Sequence, residues 1–109
     1  MSSISTHVLD TALGMPAVGI RVTLEREGKP IGSGMTDADG RVRELAPTGT
    51  PLAPGGYRLR FAVADYLRSA GHSSCYAEIV VQFELEAGQE RCHLPLLLSP
   101  FGYTTYRGS

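Results

Sequence analysis

The chain has 109 residues, 42% hydrophobic and 19% charged, with ten basic side chains against eleven acidic ones and a formal net charge of −1. That length excludes a two-lobed enzyme or a TIM barrel and fits one domain spanning residues 1–109; the balanced charge, with no basic stripe, excludes nucleic acid as a partner. No run approaches the ~18 apolar residues of a membrane span, and Met1–Ser5 is too short and uncharged to open a signal peptide, so the expectation is a cytoplasmic protein with no membrane partner.

Period-two alternation dominates from the start and predicts an all-β chain. Residues 4–10 form the first expected strand. In Gly19–Glu25, Ile20, Val22 and Leu24 alternate with Arg21, Thr23 and Glu25, as a strand with one buried face requires. Glu27-Gly28-Lys29-Pro30 reads as a turn, and the single lysine there suits neither a Schiff base nor a P-loop. Strands are expected at 31–35 and 41–45, joined by Asp37-Ala38-Asp39-Gly40. That segment lacks the third oxygen ligand and twelfth-position glutamate of an EF-hand and reads as a tight turn. Residues 46–56 hold three prolines and three glycines and read as a surface loop without structure of its own.

Tyr57, Leu59, Phe61 and Val63 alternate with Arg58 and Arg60 to give another strand. The one helix candidate is Ala64–Ala70, closed by Gly71 at the position of a left-handed C-cap. Gly71-His72-Ser73-Ser74-Cys75 lacks the final glycine and following helix of a nucleophile elbow, so His72 reads as a solvent-exposed loop residue. Ile79, Val81, Phe83 and Leu85 mark the next strand. In 91–98, Cys92, Leu94, Leu96 and Leu98 share the core face, and Arg91, His93, Pro95 and Leu97 the outer one. Pro95 implies an edge strand or a bulge, and Leu97 implies a covering partner. A last strand is expected at 102–107.

Seven or eight strands with one short helix make a β-sandwich or barrel. A domain of this size buries only about 65% of its unfolded surface, so a deep pocket is expected between subunits. Cys75 and Cys92 could form one bridge; with no C-x-x-C and no Cys/His pairing, zinc is excluded and free thiols in a reducing compartment are expected. The chemistry-bearing candidates are His7 on the first strand, Arg41 after the Asp-Gly turn, and His93 on an outer face. Each also has a plain reading as a structural or solvated side chain. The aromatic tail through Tyr106, Arg107, Gly108 and Ser109 is expected to be pinned, delivering its serine to a site.

Four segments carry a family resemblance: Ser5-Thr6-His7-Val8-Leu9-Asp10, Thr36-Asp37-Ala38-Asp39-Gly40-Arg41, the stretch from His93 to Tyr103 (HLPLLLSPFGY), and Tyr106-Arg107-Gly108-Ser109. The sequence resembles the transthyretin-related proteins that act as 5-hydroxyisourate hydrolases. The likeness spans nearly the whole chain. The terminal tetrapeptide is its most specific part, because transthyretin, the hormone carrier of the same fold, lacks it.

The resemblance implies an eight-stranded transthyretin-like sandwich with one short helix, assembled as a homotetramer whose sites lie between dimers. It also implies a cofactor- and metal-free hydrolase that opens 5-hydroxyisourate to 2-oxo-4-hydroxy-4-carboxy-5-ureidoimidazoline. Its functional residues map onto His7, Arg41, His93 and Ser109, with Tyr106, Arg107 and Gly108 shaping the pocket. Two imidazoles could move the proton of an attacking water and a guanidinium could hold the developing oxyanion, while Ser109 positions water or substrate. Ala77, where many relatives carry proline, and the Tyr66-Leu67 pair depart from the family pattern. A non-catalytic carrier of an aromatic ligand and a purely structural sandwich module remain the competing readings.

Overall fold

A computed structural model describes residues 3–47 and 51–109. Nine strands and one helix follow in the order β1 (Ser3–Asp10), β2 (Met15–Pro16), β3 (Arg21–Arg26), β4 (Lys29–Met35), β5 (Arg41–Val42), β6 (Gly55–Phe61), α1 (Ala64–Ser69), β7 (Ile79–Leu85), β8 (Arg91–Ser99) and β9 (Gly102–Thr105). One sheet runs β2-β1-β8-β9, with β5 also pairing β1; the other runs β4-β3-β6-β7. The expected sandwich is therefore present.

Its core lies between the sheets and follows from the alternation. Ile4, Val8, Leu94, Leu96 and Leu98 project from one sheet to meet Val22, Leu24, Tyr57, Leu59, Phe61 and Ile79 from the other, all buried. Each large side chain so buried contributes about 1.5–3 kcal/mol. Thr6 shares this face and stays buried because its hydroxyl donates to the Leu94 carbonyl at 2.6 Å. The β3–β4 hairpin closes through Glu27 and Gly28, both at positive φ (53° and 77°), as a two-residue hairpin turn demands.

Several boundaries differ from the sequence pattern. Met15–Pro16 adds a two-residue strand beside Leu9 and Asp10. The strand expected at 41–45 stops at Val42, because the Glu44 carboxylate, not a backbone carbonyl, accepts the Ile4 amide at 3.0 Å; backbone pairing resumes from the Leu45 amide to the Ile4 carbonyl. Gly55 and Gly56 belong to β6 rather than to the loop, pairing Leu85 and Glu84. Residues 48–50 of that loop lie outside the described residues. Pro95 marks neither an edge nor a bulge. It sits in a central strand where the β8–β9 ladder skips: Leu96 pairs Thr105, and the same register resumes at His93 and Gly108.

The helix is followed by a C-cap at Ala70, with Gly71 at φ 80°. The Gly71 amide donates to the Arg68 carbonyl and the His72 amide to that of Leu67, the paired bonds of a Schellman motif. This turn carries His72 inward, contrary to the expectation of an exposed loop residue. Its side chain is 13% exposed and its Nε2 lies 3.1 Å from Asp10 Oδ2. Asp10, 1% exposed, also accepts the Ala12 and Leu13 amides and the Tyr66 hydroxyl. Burial pushes the Asp10 carboxyl up, but these bonds together outweigh it and hold the group below its ordinary 3.8. Tyr66 is pushed up by its own burial and by the bond to Asp10. Both cysteines are free, Cys75 exposed and Cys92 buried. Burial raises the Cys92 thiol, against the opposing charge of Arg107. Among the described residues no helix is long and apolar enough to cross a membrane.

Candidate functional site

The outer face of the β1 sheet is where the separated candidates converge, and strand register is what brings them together. On β1, Ser3, Ser5 and His7 point away from the core. In the parallel β1–β8 pair, Ser3 lies opposite Arg91, Ser5 opposite His93 and His7 opposite Pro95. On the other flank His7 pairs Arg41 of β5, and beyond β8 Gly108 bridges His93. Neighbouring strands lie about 4.8 Å apart, so residues from positions 5, 7, 41, 93 and 108 occupy one small patch.

The turn before β5 aims Arg41. Asp37 Oδ1 accepts the Asp39 and Arg41 amides at 2.9 and 3.0 Å, and the Arg41 carbonyl accepts the Asp37 amide. The bond from the Arg41 amide, against burial and with help from Asp39, keeps the Asp37 carboxyl below its ordinary value. The reading of this segment as a tight turn holds. Its Asp39 carbonyl also accepts a hydrogen bond from His7 Nε2 at 2.8 Å, so that nitrogen carries a proton.

A cleft of about 260 Å³ opens on this patch, lined in part by Ser3, Ser5, Arg41, Arg91, His93 and Ser109. His7 stands next to it without lining it. The Arg41 guanidinium has no hydrogen-bond or ion-pair partner among the described residues. His93 is half-buried. Burial first, then the charge of Arg41 and the neighbouring His7, hold it below its ordinary 6.5, although a hydrogen bond to the Ser5 backbone pulls the other way. A half-buried imidazole kept neutral beside a guanidinium can exchange protons near neutral pH while the guanidinium holds an anionic oxygen.

The tail is pinned as expected. The Gly108 amide donates to the His93 carbonyl at 2.8 Å, and a side chain at 108 would collide with the His93 ring and with Pro95. Ser109 thereby reaches the cleft. Tyr106 is 53% exposed and Arg107 is also exposed; neither lines the cleft. Tyr66 and Leu67 lie at the Asp10 end of β1, and Ala77 is exposed, so these departures from the family pattern do not touch the cleft. Sequence reading gave no part to Ser5 or Arg91. Alternation puts both on the outer face, and only the register shows what they face.

A model of the HIUase/Transthyretin family matches residues 4–108. The chain is 42% identical over 117 residues to the 5-hydroxyisourate hydrolase of Caulobacter vibrioides, covering all of both chains. Among solved structures it is similar to Klebsiella pneumoniae 5-hydroxyisourate hydrolase, with a TM-score of 0.89, 38% identity and full coverage of both chains. It is also similar to sea bream transthyretin in complex with thyroxine, with a TM-score of 0.88, 28% identity, and 97% of this chain and 94% of that one covered.

Proposed function

The chain belongs to the HIUase/Transthyretin family and is a 5-hydroxyisourate hydrolase, and from that premise we propose how it works. Residues 1–109 act as one catalytic domain on 5-hydroxyisourate. Water attacks a ring carbonyl, the carbon–nitrogen bond of the ring opens, and the product 2-oxo-4-hydroxy-4-carboxy-5-ureidoimidazoline gains a carboxylate. The observation that carries this reading is the register that sets His7, Arg41 and His93 side by side on one sheet face around a cleft reached by Ser109.

The Arg41 guanidinium, with no protein partner among the described residues, holds the carbonyl oxygen and the negative charge that builds on it. His7 and His93 take the water proton and return one to the departing nitrogen. Ser109 positions water or substrate; Gly108 lets the tail pass close to His93, and Tyr106 and Arg107 shape the rim. The patch lies on an outer sheet face, and Leu13, Met15, Val18, Phe101 and Tyr103 are exposed apolar or aromatic groups. This supports a homotetramer, a dimer of dimers, with each site closed by a second copy. Two free thiols fit a reducing, cytoplasmic setting.

The test generates the unstable substrate with uricase and follows its ultraviolet decay. Purified protein accelerates the decay, and His7→Asn or His93→Asn each lose about 10²- to 10⁴-fold. Decay no faster than in buffer, together with micromolar thyroxine binding, would establish the carrier reading instead. Sedimentation as a lone 11.7 kDa particle at micromolar concentration would refute the tetramer.

A further inference from the structure

Ser5 contacts His93 directly: its Oγ lies 2.8 Å from Nδ1 of the ring, within ordinary hydrogen-bond distance. The contact is built into the sheet, because Ser5 and His93 face each other in the parallel ladder of two central strands. The opposite edge of the ring is held too. A Cβ at Gly108 would fall 2.7 Å from His93 Cδ2, so the tail backbone packs against that edge.

Packing alone does not settle the ring's orientation. Turning an imidazole by 180° exchanges Nδ1 with Cδ2 and Nε2 with Cε1, two orientations of nearly equal shape. Only a polar neighbour tells them apart. The Ser5 hydroxyl bonds a nitrogen and gains nothing from a carbon, so it selects the orientation with Nδ1 toward β1 and Nε2 at the free corner. The hydroxyl oxygen can accept from Nδ1–H in both the neutral and the protonated ring, leaving Nε2 to take up and release the proton, so the contact survives a proton transfer.

We propose that Ser5 is a positioning residue for the hydrolysis: by holding His93 Nδ1 through the β1–β8 register, it presents Nε2 to the substrate. Thr6 cannot substitute, since it points to the core and donates to the Leu94 carbonyl. The proposal rests on the hydrolase reading for its kinetic consequence but not for the state of the ring.

The experiment compares the full-length protein with Ser5→Ala and Ser5→Thr by two readouts. Nitrogen-15 spectra of the histidine side chains, in the absence of substrate, report the hydrogen bonding and tautomer of His93, and the uricase-coupled assay gives kcat and KM. Ser5→Ala shifts the His93 nitrogen signals and lowers kcat about tenfold, with KM within about twofold, a loss of the size typical for a partner that orients a functional histidine. Ser5→Thr, which keeps the hydroxyl and suits a strand, restores both. Unchanged His93 signals in Ser5→Ala, or a kcat within twofold of the parent, would overturn the proposal. Should the parent protein itself fail to hydrolyse the substrate, the functional reading falls, while the nitrogen spectra still decide whether Ser5 sets the ring.

Discussion

Replacing Gly108 by alanine isolates what the tail does for the site. The added methyl would sit 2.7 Å from His93 Cδ2, and 3.2 and 3.3 Å from Pro95 Cγ and Cδ. Carbon atoms rest about 3.5–4.0 Å apart, so roughly 1 Å of movement is forced. Two responses are open: the tail lifts, stretching the Gly108–His93 backbone bond and drawing Ser109 from the cleft, or the imidazole swings away from Ser5. Overpacking of this kind costs about 1–3 kcal/mol, which is about 5- to 150-fold in rate if it falls on the reactive arrangement, and a 1 Å displacement of a catalytic group costs a comparable ~10²-fold. Gly108 is outside the core between the sheets, so the melting temperature should move by only a few degrees. The measurements are kcat/KM on uricase-generated substrate and a thermal melt of the same sample. Retention of half or more of the parental kcat/KM would show that the tail yields freely and that its fit to His93 is immaterial.

Three further outcomes are expected. Arg41→Gln should lower kcat/KM by about 10²- to 10³-fold, as loss of an oxyanion partner does. Burial is the main cause of the depressed His93 value and the Arg41 charge adds to it, so the parental acid limb lies below pH 6.5; in the variant a pH–rate profile should show that limb moving up. Asp10→Asn should cost about 1–3 kcal/mol in urea denaturation, because an amide nitrogen then meets the Tyr66 hydroxyl and His72. The stabilisation from the depressed Asp10 carboxyl is present above 3.8 and lost as pH falls through its lower folded value, so the variant should also lose stability less steeply in acid. Asp10 lies on the buried face of β1, three residues or about 10 Å along the strand from His7 on the outer face, so activity per folded molecule should stay within twofold. Finally, Ser109→Ala should lower kcat about fivefold, the worth of one neutral hydrogen bond, in the same coupled assay.

Alternation revealed most strands because side chains on one face share one solvent. It assigned Val22, Leu24, Leu94 and Leu96 to the core and His93 to the outer face, as found. It was blind where there is no side chain to alternate, as at Gly55 and Gly56, and where two residues are too few for a period, as at Met15–Pro16. It also could not foresee that Glu44 would stand in for a backbone carbonyl and cut β5 short. Pattern alone made the site residues legible as types, a histidine or an arginine on an outer face, and only the family resemblance named His7, Arg41, His93 and Ser109 as a group. Their meeting depends on which strands pair and in what register, and a period of two holds no information about partners. The same gap hid His72, which the Schellman turn folds back onto a carboxylate 62 positions away.

The parallel pairing of β1 with β8 also governs when the protein becomes competent. Ser5 and His93 are 88 positions apart, and β1 takes all eight of its ladder partners on that side from β8. A nascent chain thus carries β1 with one edge bare until β8, tens of residues further along, has left the ribosome. Contacts of such long range are slow to close, and bare edges invite pairing with other chains. Yield of native protein should therefore be set by how quickly β8 reaches that waiting edge, and the candidate site, assembled across the same seam, matures only after that strand has docked.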